Sequence, residues 1–398
     1  MKAIVHIGTG KTGTTTIQQF LSDNVEALES QKIFVPDNED FLGWKVRCPH
    51  RTLWASFLNI QERKRQTMWK HFPYSTLLEK IPAYDLIKLR KKYERQFHKT
   101  STVLFSEECF SCYLESEISS LKQWLFSFFD EVTIIVYLRR QPEYLVSVYA
   151  QQMKGGLPKD DDVFSRFLSN HVWNQTLYAD DYRLLLTKWT NAFDKENIKI
   201  RLFDRKEMIQ NDLLEDFCHT SGIDITHLKR PGSLNESFDA ETIEFIKLVS
   251  KYFIHEDNYY CGYIAHFSEN LGNTGNKGYN LSQAEAQEIL DRYRESNNAV
   301  AREYLGREQL FSDDVSMYPV LPSSSRLTSE KCIDIFSVLW KAVIDDKLKI
   351  ESELHKLERR RIPNRLKRLG KKIKKIPQRC VKFANKINKA VAALLMME

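Results

Sequence analysis

The tightest constraint on this chain lies in its first 21 residues. Ala3 to Ile7 is an apolar run of strand length. Gly8 to Thr15 follows with three glycines, four threonines and one lysine. Ile17, Phe20, Leu21, Val25 and Leu28 then recur at helical spacing. Strand, glycine-threonine loop and helix together make the layout of an anion cradle. N–H groups at the helix start point at the ligand, and the helix dipole favours negative charge there. Glycines let the backbone approach closely, while hydroxyls and a lysine add donors. The candidate ligands are therefore Gly10, Lys11, Thr12, Gly13, Thr14 and Thr15. A plain turn at such a junction has little use for Lys11.

The nucleoside-triphosphate loop G-x-x-x-x-G-K-[ST] does not fit. Gly10-Lys11-Thr12 matches its end, but its first glycine would fall on Val5. A small-molecule kinase using ATP and Mg²⁺ stays as an alternative, and it would need a metal-binding aspartate. A non-catalytic, membrane-associated nucleotide-binding protein is a second alternative.

Further strands are expected at about 31–36, at Thr102–Ser106, at Val132–Arg139 and at Asn197–Asp204. The third of these is β-branched and apolar throughout, as a strand buried on both faces should be. Helices are expected from Pro142 to Met153, over Asp181–Phe193 and over Asp212–Thr220, the last ended by Gly222. Strands alternating with helices predict an α/β fold, a central parallel sheet flanked by helices. Residues 37–100 read as a mostly helical insertion on the acceptor side of the site. From about 237 to 355 the pattern is helical, with Phe238–Ile254, Leu281–Leu305 and Ser329–Arg360 the clearest helices and a glycine-rich loop over Asn270–Asn280.

A second signal follows the strong strand. Arg139 closes it, Pro142 opens a helix, and Ser147 falls eight residues after the arginine. An arginine at the carboxyl end of a parallel strand faces the ligand crevice. A guanidinium fork and a hydroxyl suit a phosphate dianion.

Strand followed by K-[ST]-G-T-[ST], and strand-R-x-x-P-x-x-x-x-S, together resemble the two nucleotide-binding motifs of sulfotransferases that use 3′-phosphoadenosine 5′-phosphosulfate (PAPS). The runs Leu185–Phe193, Leu214–Cys218 and Ser296–Tyr304 are similar to bacterial sulfotransferase-like proteins. The resemblance spans roughly 1–315, with specific motifs only at 8–15 and 139–147. It departs from the animal cytosolic enzymes in lacking a late Arg-Lys-Gly element, for which Lys277-Gly278 or Arg230-Pro231-Gly232 are candidate substitutes. The resemblance implies sulfuryl transfer from PAPS to a hydroxyl or amine, with a carbohydrate or a cell-surface glycan precursor as the expected acceptor. It implies the 5′-phosphosulfate on Gly10–Thr15, with Lys11 stabilising the leaving phosphate, and the 3′-phosphate on Arg139 and Ser147. It requires no metal. Glu107, directly after the strand 102–106, is the first candidate for the general base, and His50 is the second.

The charge balance is uneven. Residues 356–398 hold fifteen Lys/Arg and two Glu, while residues 1–355 are mildly acidic. This composition argues against a nucleic-acid-binding body. The expected domains are thus 1–355 and a basic tail, 356–398. In the tail Leu366, Leu369, Ile373 and Ile376 form one helical stripe, and Val381, Ala384, Ile387, Val391 and Leu394 another. Such stripes among lysines suit an anionic membrane surface. No apolar run reaches membrane-spanning length, no signal-peptide core precedes the first strand, and the seven cysteines are scattered. The expected location is the cytoplasm, peripheral to the membrane. Cys109 and Cys112 have C-x-x-C spacing but lack a second ligand pair for zinc.

Overall fold

The computed structural model describes residues 1–39, 45–46, 49–65, 78–79, 83–97, 102–154, 180–232, 245, 281–320 and 328–359. The chain divides into two compact units. The first holds Met1–Leu145, Phe167–Leu234 and Glu285–Val315; the second holds Val146–Arg166, Asn235–Ala284 and Ser316–Glu398.

The first unit is built on five parallel strands: β1 (Lys2–His6), β2 (Ile33–Phe34), β3 (Thr102–Ser106), β4 (Glu131–Leu138) and β5 (Ile198–Leu202). Their order is β2-β3-β1-β4-β5, so β1 is the middle strand. It is hydrogen-bonded to β3 on one side and to β4 on the other, with His6 level with Ser106 and Ile135. The chain steps outward from β1 to β2 and returns through β3, then crosses to β4 and β5. The carboxyl end of β1 beside β4 is therefore the point where the winding reverses, the usual ligand crevice of an open α/β sheet. A short antiparallel pair, Asn38–Glu39 with Lys45–Val46, lies outside this sheet.

Alternation along the strands sends side chains to two cores. Ala3, Val5, Val103, Phe105, Ile134 and Val136 face one, with α3 (Arg51–Ala55), α6 (Glu115–Phe126) and α8 (Tyr182–Phe193). Ile4, Leu104, Ile135 and Tyr137 face the other, with α1 (Thr14–Asp23) and α9 (Leu213–Ser221). Both faces of the sheet are thus covered, which explains why β4 shows no polar alternation. Between α3 and α6 the chain forms α4 (Ile60–Lys64) and α5 (Ala83–Glu94); α2 (Val25–Ser30) follows α1.

Local signals set the helix ends. The Asp181 carboxylate accepts from the Leu184 N–H at 3.1 Å and starts α8. Asp212 caps α9 through Leu214 and Glu215, and Gly222 ends it in the left-handed region at φ 74°. A buried ion pair fixes α4. Glu117 accepts from Arg63 Nε at 2.7 Å and from the backbone N–H groups of Asn59 and Leu114. Arg63 also donates to the Cys112 carbonyl at 3.0 Å, which ties α4 to the turn after β3.

α7 (Gln141–Lys154) follows β4, starting one residue before Pro142. α10 (Gln283–Val300) continues into a π-helical turn, Ala301–Leu305, that ends at Gly306. α11 (Ser329–Arg359), in the second unit, has 31 residues. The expected helix at 238–254, except Phe245, and the loop at 270–280 lie outside the described residues, as does the tail beyond 359. The expected insertion at 37–100 is described in pieces, and α3, α4 and α5 are the helices among its described residues.

Candidate active site

The loop after β1 is held by its threonines. Thr9 Oγ1 donates to the Tyr137 carbonyl at 2.9 Å, tying the loop to β4. Thr12 Oγ1 donates to the Thr9 carbonyl at 2.6 Å. Both side chains are fully buried. The Thr12 hydroxyl therefore builds the loop and points inward. Thr14 is buried and Thr15 is exposed at the first turn of α1.

The backbone is forced into a left-handed path at three points: Gly8 at φ 53°, Lys11 at φ 68° and Gly13 at φ 74°. A Cβ on Gly13 would lie 2.3 Å from Leu213 Cδ2 and 3.0 Å from Phe203 Cε2, so only glycine fits there. Lys11 has no such excuse. A non-glycine residue in this region costs about 1–2 kcal/mol, and such strain persists where the surroundings over-determine it. A Cβ on Gly10 would meet nothing within 4 Å, so the loop opens outward there. Gly13 is the N-cap of α1 and brings no side chain to cap that helix end. The first N–H groups of α1 are therefore available to an anion in place of a side-chain cap.

Arg139 braces this loop from the end of β4. Its Nη1 donates to the Lys11 carbonyl at 2.8 Å, and its guanidinium lies over the Phe203 ring at 5.3 Å. The Tyr182 hydroxyl donates to the Arg139 carbonyl. Ser147 is half-buried on α7, in its second turn. Arg140 turns elsewhere, donating to the carbonyls of Ser312 and Asp314.

The next strand over ends in a different kind of group. Glu107 follows β3 and caps the 3₁₀ turn Glu108–Cys112, with Oε1 accepting from the Cys109 N–H at 3.1 Å. The Glu107 side chain is fully buried, and Oε2 has no hydrogen-bond partner among the described residues. Burial pushes its carboxyl up to about 7 against the opposing pull of Arg51. Arg51 Nε lies 3.7 Å from Glu107 Oε2, and its Nη2 lies 3.6 Å from Glu108 Oε1. Gln18 on α1 donates to Glu108 Oε2 at 3.1 Å. The helix that starts at the loop is thereby linked to the acidic turn. Gly8 is packed against that turn as well, since a Cβ there would lie 3.3 Å from Glu108 Cα.

His50 is buried with both ring nitrogens engaged by backbone. Nδ1 accepts from the Ser106 N–H at 3.0 Å, and Nε2 lies 3.2 Å from the Pro36 carbonyl, which it faces as a donor. Burial lowers its pKa to about 4. That arrangement makes His50 a neutral joint between β3, α3 and the chain after β2. His6 is buried too, but differently: Nδ1 meets Ser106 Oγ at 2.9 Å, Nε2 has no hydrogen-bond partner among the described residues, and burial lowers its pKa to about 3. Burial pushes the Cys109 and Cys112 thiols up, the opposite of what a reactive thiolate needs. Among the described residues no three His, Cys, Asp or Glu form a metal-holding group. Arg230 pairs with Asp212 and Glu215 near the surface, while Lys277 and Gly278 lie outside the described residues.

Arg51, Gln18 and Phe203 belong to this constellation but carry no motif. Only the basic character of the run ending at Arg51 pointed toward the first of them.

No protein-family model matches the chain. An uncharacterized protein of Archaeoglobus fulgidus is 24% identical over 220 residues, and the chain spans about half the length of that curated relative, 54%. The match takes in 50% of this chain. Among solved structures, a sulfotransferase from Alicyclobacillus acidocaldarius aligns with 65% of this chain and 98% of its own, at 15% identity and a TM-score of 0.36.

Proposed function

We propose that this protein is a sulfotransferase that moves a sulfuryl group from PAPS to a hydroxyl or amine of a carbohydrate-type acceptor. The reading is carried by one observation. A strained, side-chain-uncapped loop bearing Lys11 leaves the middle strand, and a wholly buried carboxylate of raised pKa leaves the strand beside it.

The residues fit a phosphosulfate nucleotide. The bare start of α1 suits an anion, Gly10 leaves the mouth open, and the guanidinium of Arg139 suits a second phosphate. PAPS supplies the sulfuryl group and an adenosine 3′,5′-bisphosphate leaving group. Sulfuryl transfer, like phosphoryl transfer, is governed by alignment and by stabilising charge on the departing oxygen. Lys11, the N–H groups of Gly13, Thr14 and Thr15, and the α1 dipole do that work. Glu107 takes the acceptor's proton on Oε2. A carboxyl with a pKa of about 7 is matched to that task at neutral pH. His50 is the weaker candidate, because both of its nitrogens already hold backbone groups.

The test is incubation of the protein with ³⁵S-labelled PAPS and a glycan-containing extract of the producing cells. Transfer of label to an extract component, abolished in Lys11→Ala, is the expected result. Consumption of γ-labelled ATP with no use of PAPS would sink the reading and favour a kinase.

A further inference from the structure

The second unit carries an exposed apolar stripe that the proposed reaction does not use. It lies on α11. Cys332, Ile335 and Leu339 are buried on one side of that helix. On another side Ile333, Ile344 and Leu348 are 54%, 39% and 57% exposed. Phe336 and Trp340, stacked with ring centroids 6.0 Å apart, are half-buried between them. The spacing 333, 336, 340, 344, 348 places all five along one face of the helix.

Single exposed apolar residues mean little, but a continuous stripe marks a contact surface. Three features say what covers this one. Lys341, exposed, borders it, and Lys347, 43% exposed, lies on the same face in an ion pair with Glu351. Trp and Phe sit among the aliphatic residues, the mixture found where a helix lies in a membrane interface. The helix also runs directly into residues 360–398, which hold thirteen Lys/Arg and one Glu. A second copy of the chain fits less well, since pairing two such segments would bring like charge together. No described helix is long and apolar enough to cross a membrane.

We propose that the Ile333–Phe336–Trp340–Ile344–Leu348 face of α11 is a docking surface for an anionic phospholipid bilayer. The apolar stripe enters the headgroup boundary, and the lysines meet the lipid phosphates. Asp334 and Asp345 lie roughly 100° round the helix from the stripe, where they stay in water.

The experiment is vesicle flotation of the full-length protein. Vesicles of phosphatidylcholine with phosphatidylglycerol in equal parts are compared with phosphatidylcholine alone. Binding to the anionic vesicles only is expected. The doubly substituted Ile344→Glu/Leu348→Glu chain should lose about tenfold in partitioning, with its circular dichroism unchanged because both sites are exposed. A second measurement needs no disruptive variant: brominated phosphatidylcholine in the same vesicles should quench tryptophan emission, and Trp340→Phe should remove that quenching. Absence of binding by the intact protein would overturn the proposal. So would wild-type binding by the double variant, which would leave the contact to 360–398 alone. A dimer in solution that the double variant converts to monomer would also overturn it, by showing that a second copy covers the stripe.

Discussion

The loop after β1 and the turn after β3 leave adjacent parallel strands at the same edge of the sheet. The first is a half-exposed backbone device. It holds Lys11 and Gly13 in left-handed conformations, and the hydroxyls of Thr9 and Thr12 are spent on β4 and on the loop's own Thr9 carbonyl. The second is a buried side-chain device. Its carboxylate caps a 3₁₀ turn with one oxygen and leaves the other without a hydrogen bond. The first suits negative charge, and the second keeps a carboxyl in a dry place. The difference teaches that each strand end specialises by what its backbone can donate. Where N–H groups stay bare, an anion is favoured; where burial starves a carboxylate of water, its basicity rises.

The largest way to break this comparison is to unseat the turn from beneath. Glu117→Ala would leave the Arg63 guanidinium buried without its carboxylate, beside the Cys112 carbonyl it also serves. Urea unfolding should show a loss of about 3–5 kcal/mol. A loss within 1 kcal/mol, a roughly surface-like value, would mean that α4 does not support the acidic turn. Next comes the loop's charge. Lys11→Ala should lower PAPS turnover by about 10²–10³-fold while changing affinity for adenosine 3′,5′-bisphosphate far less. Equal losses in both would make Lys11 a binding group only.

Glu107→Gln sharpens the other side. Turnover should fall by about 10²-fold, and the acidic limb of the pH profile near 7 should vanish with it. The stability effect has a definite sign. Folding raises the Glu107 pKa from 4.5 to about 7, so its contribution is fully present below 4.5 and is lost as pH rises through 7. The Gln variant should therefore gain on the wild type above pH 7, as read from thermal midpoints. The smallest effect belongs to His50. Its pKa falls from 6.5 to about 4 on folding, so its stabilising share is present above 6.5 and is lost as pH drops toward 4. His50→Gln should flatten that acid limb and leave the pH profile of turnover unmoved. A shift in that profile would return His50 to the list of bases.

Much of the frame could be read from the chain. β3 falls at Thr102–Ser106, and β4 lies within a residue of its β-branched run, because a strand buried on both faces has only one composition to choose from. The end of α9 at Gly222 was equally legible, since few residue types take a left-handed conformation; Asp212, expected inside the helix, caps it instead. The site was legible only where it is local. Gly8–Thr15 announces itself, but the inward turn of the Thr12 hydroxyl does not, because its partner is a carbonyl set by the fold of the loop. Arg51 meets Glu107 across 56 positions of sequence, and no periodicity marks such a pair. Nothing in the basic run around His50 marks its burial, yet the closure of β2, β3 and α3 around it uses both its nitrogens.

The central claim is that the cradle after β1 and the arginine after β4 grip the two ends of one phosphorylated adenosine. Isothermal titration calorimetry of the wild type and Arg139→Ala with adenosine 3′,5′-bisphosphate, adenosine 5′-phosphate and ATP with Mg²⁺ addresses it directly. One-site binding of the bisphosphate is predicted. Affinity should drop about tenfold on losing either the 3′-phosphate or the Arg139 guanidinium, and losing both should cost little more than losing one. Tighter binding of ATP, or an Arg139→Ala variant that still distinguishes the bisphosphate from the monophosphate as the wild type does, would contradict the account.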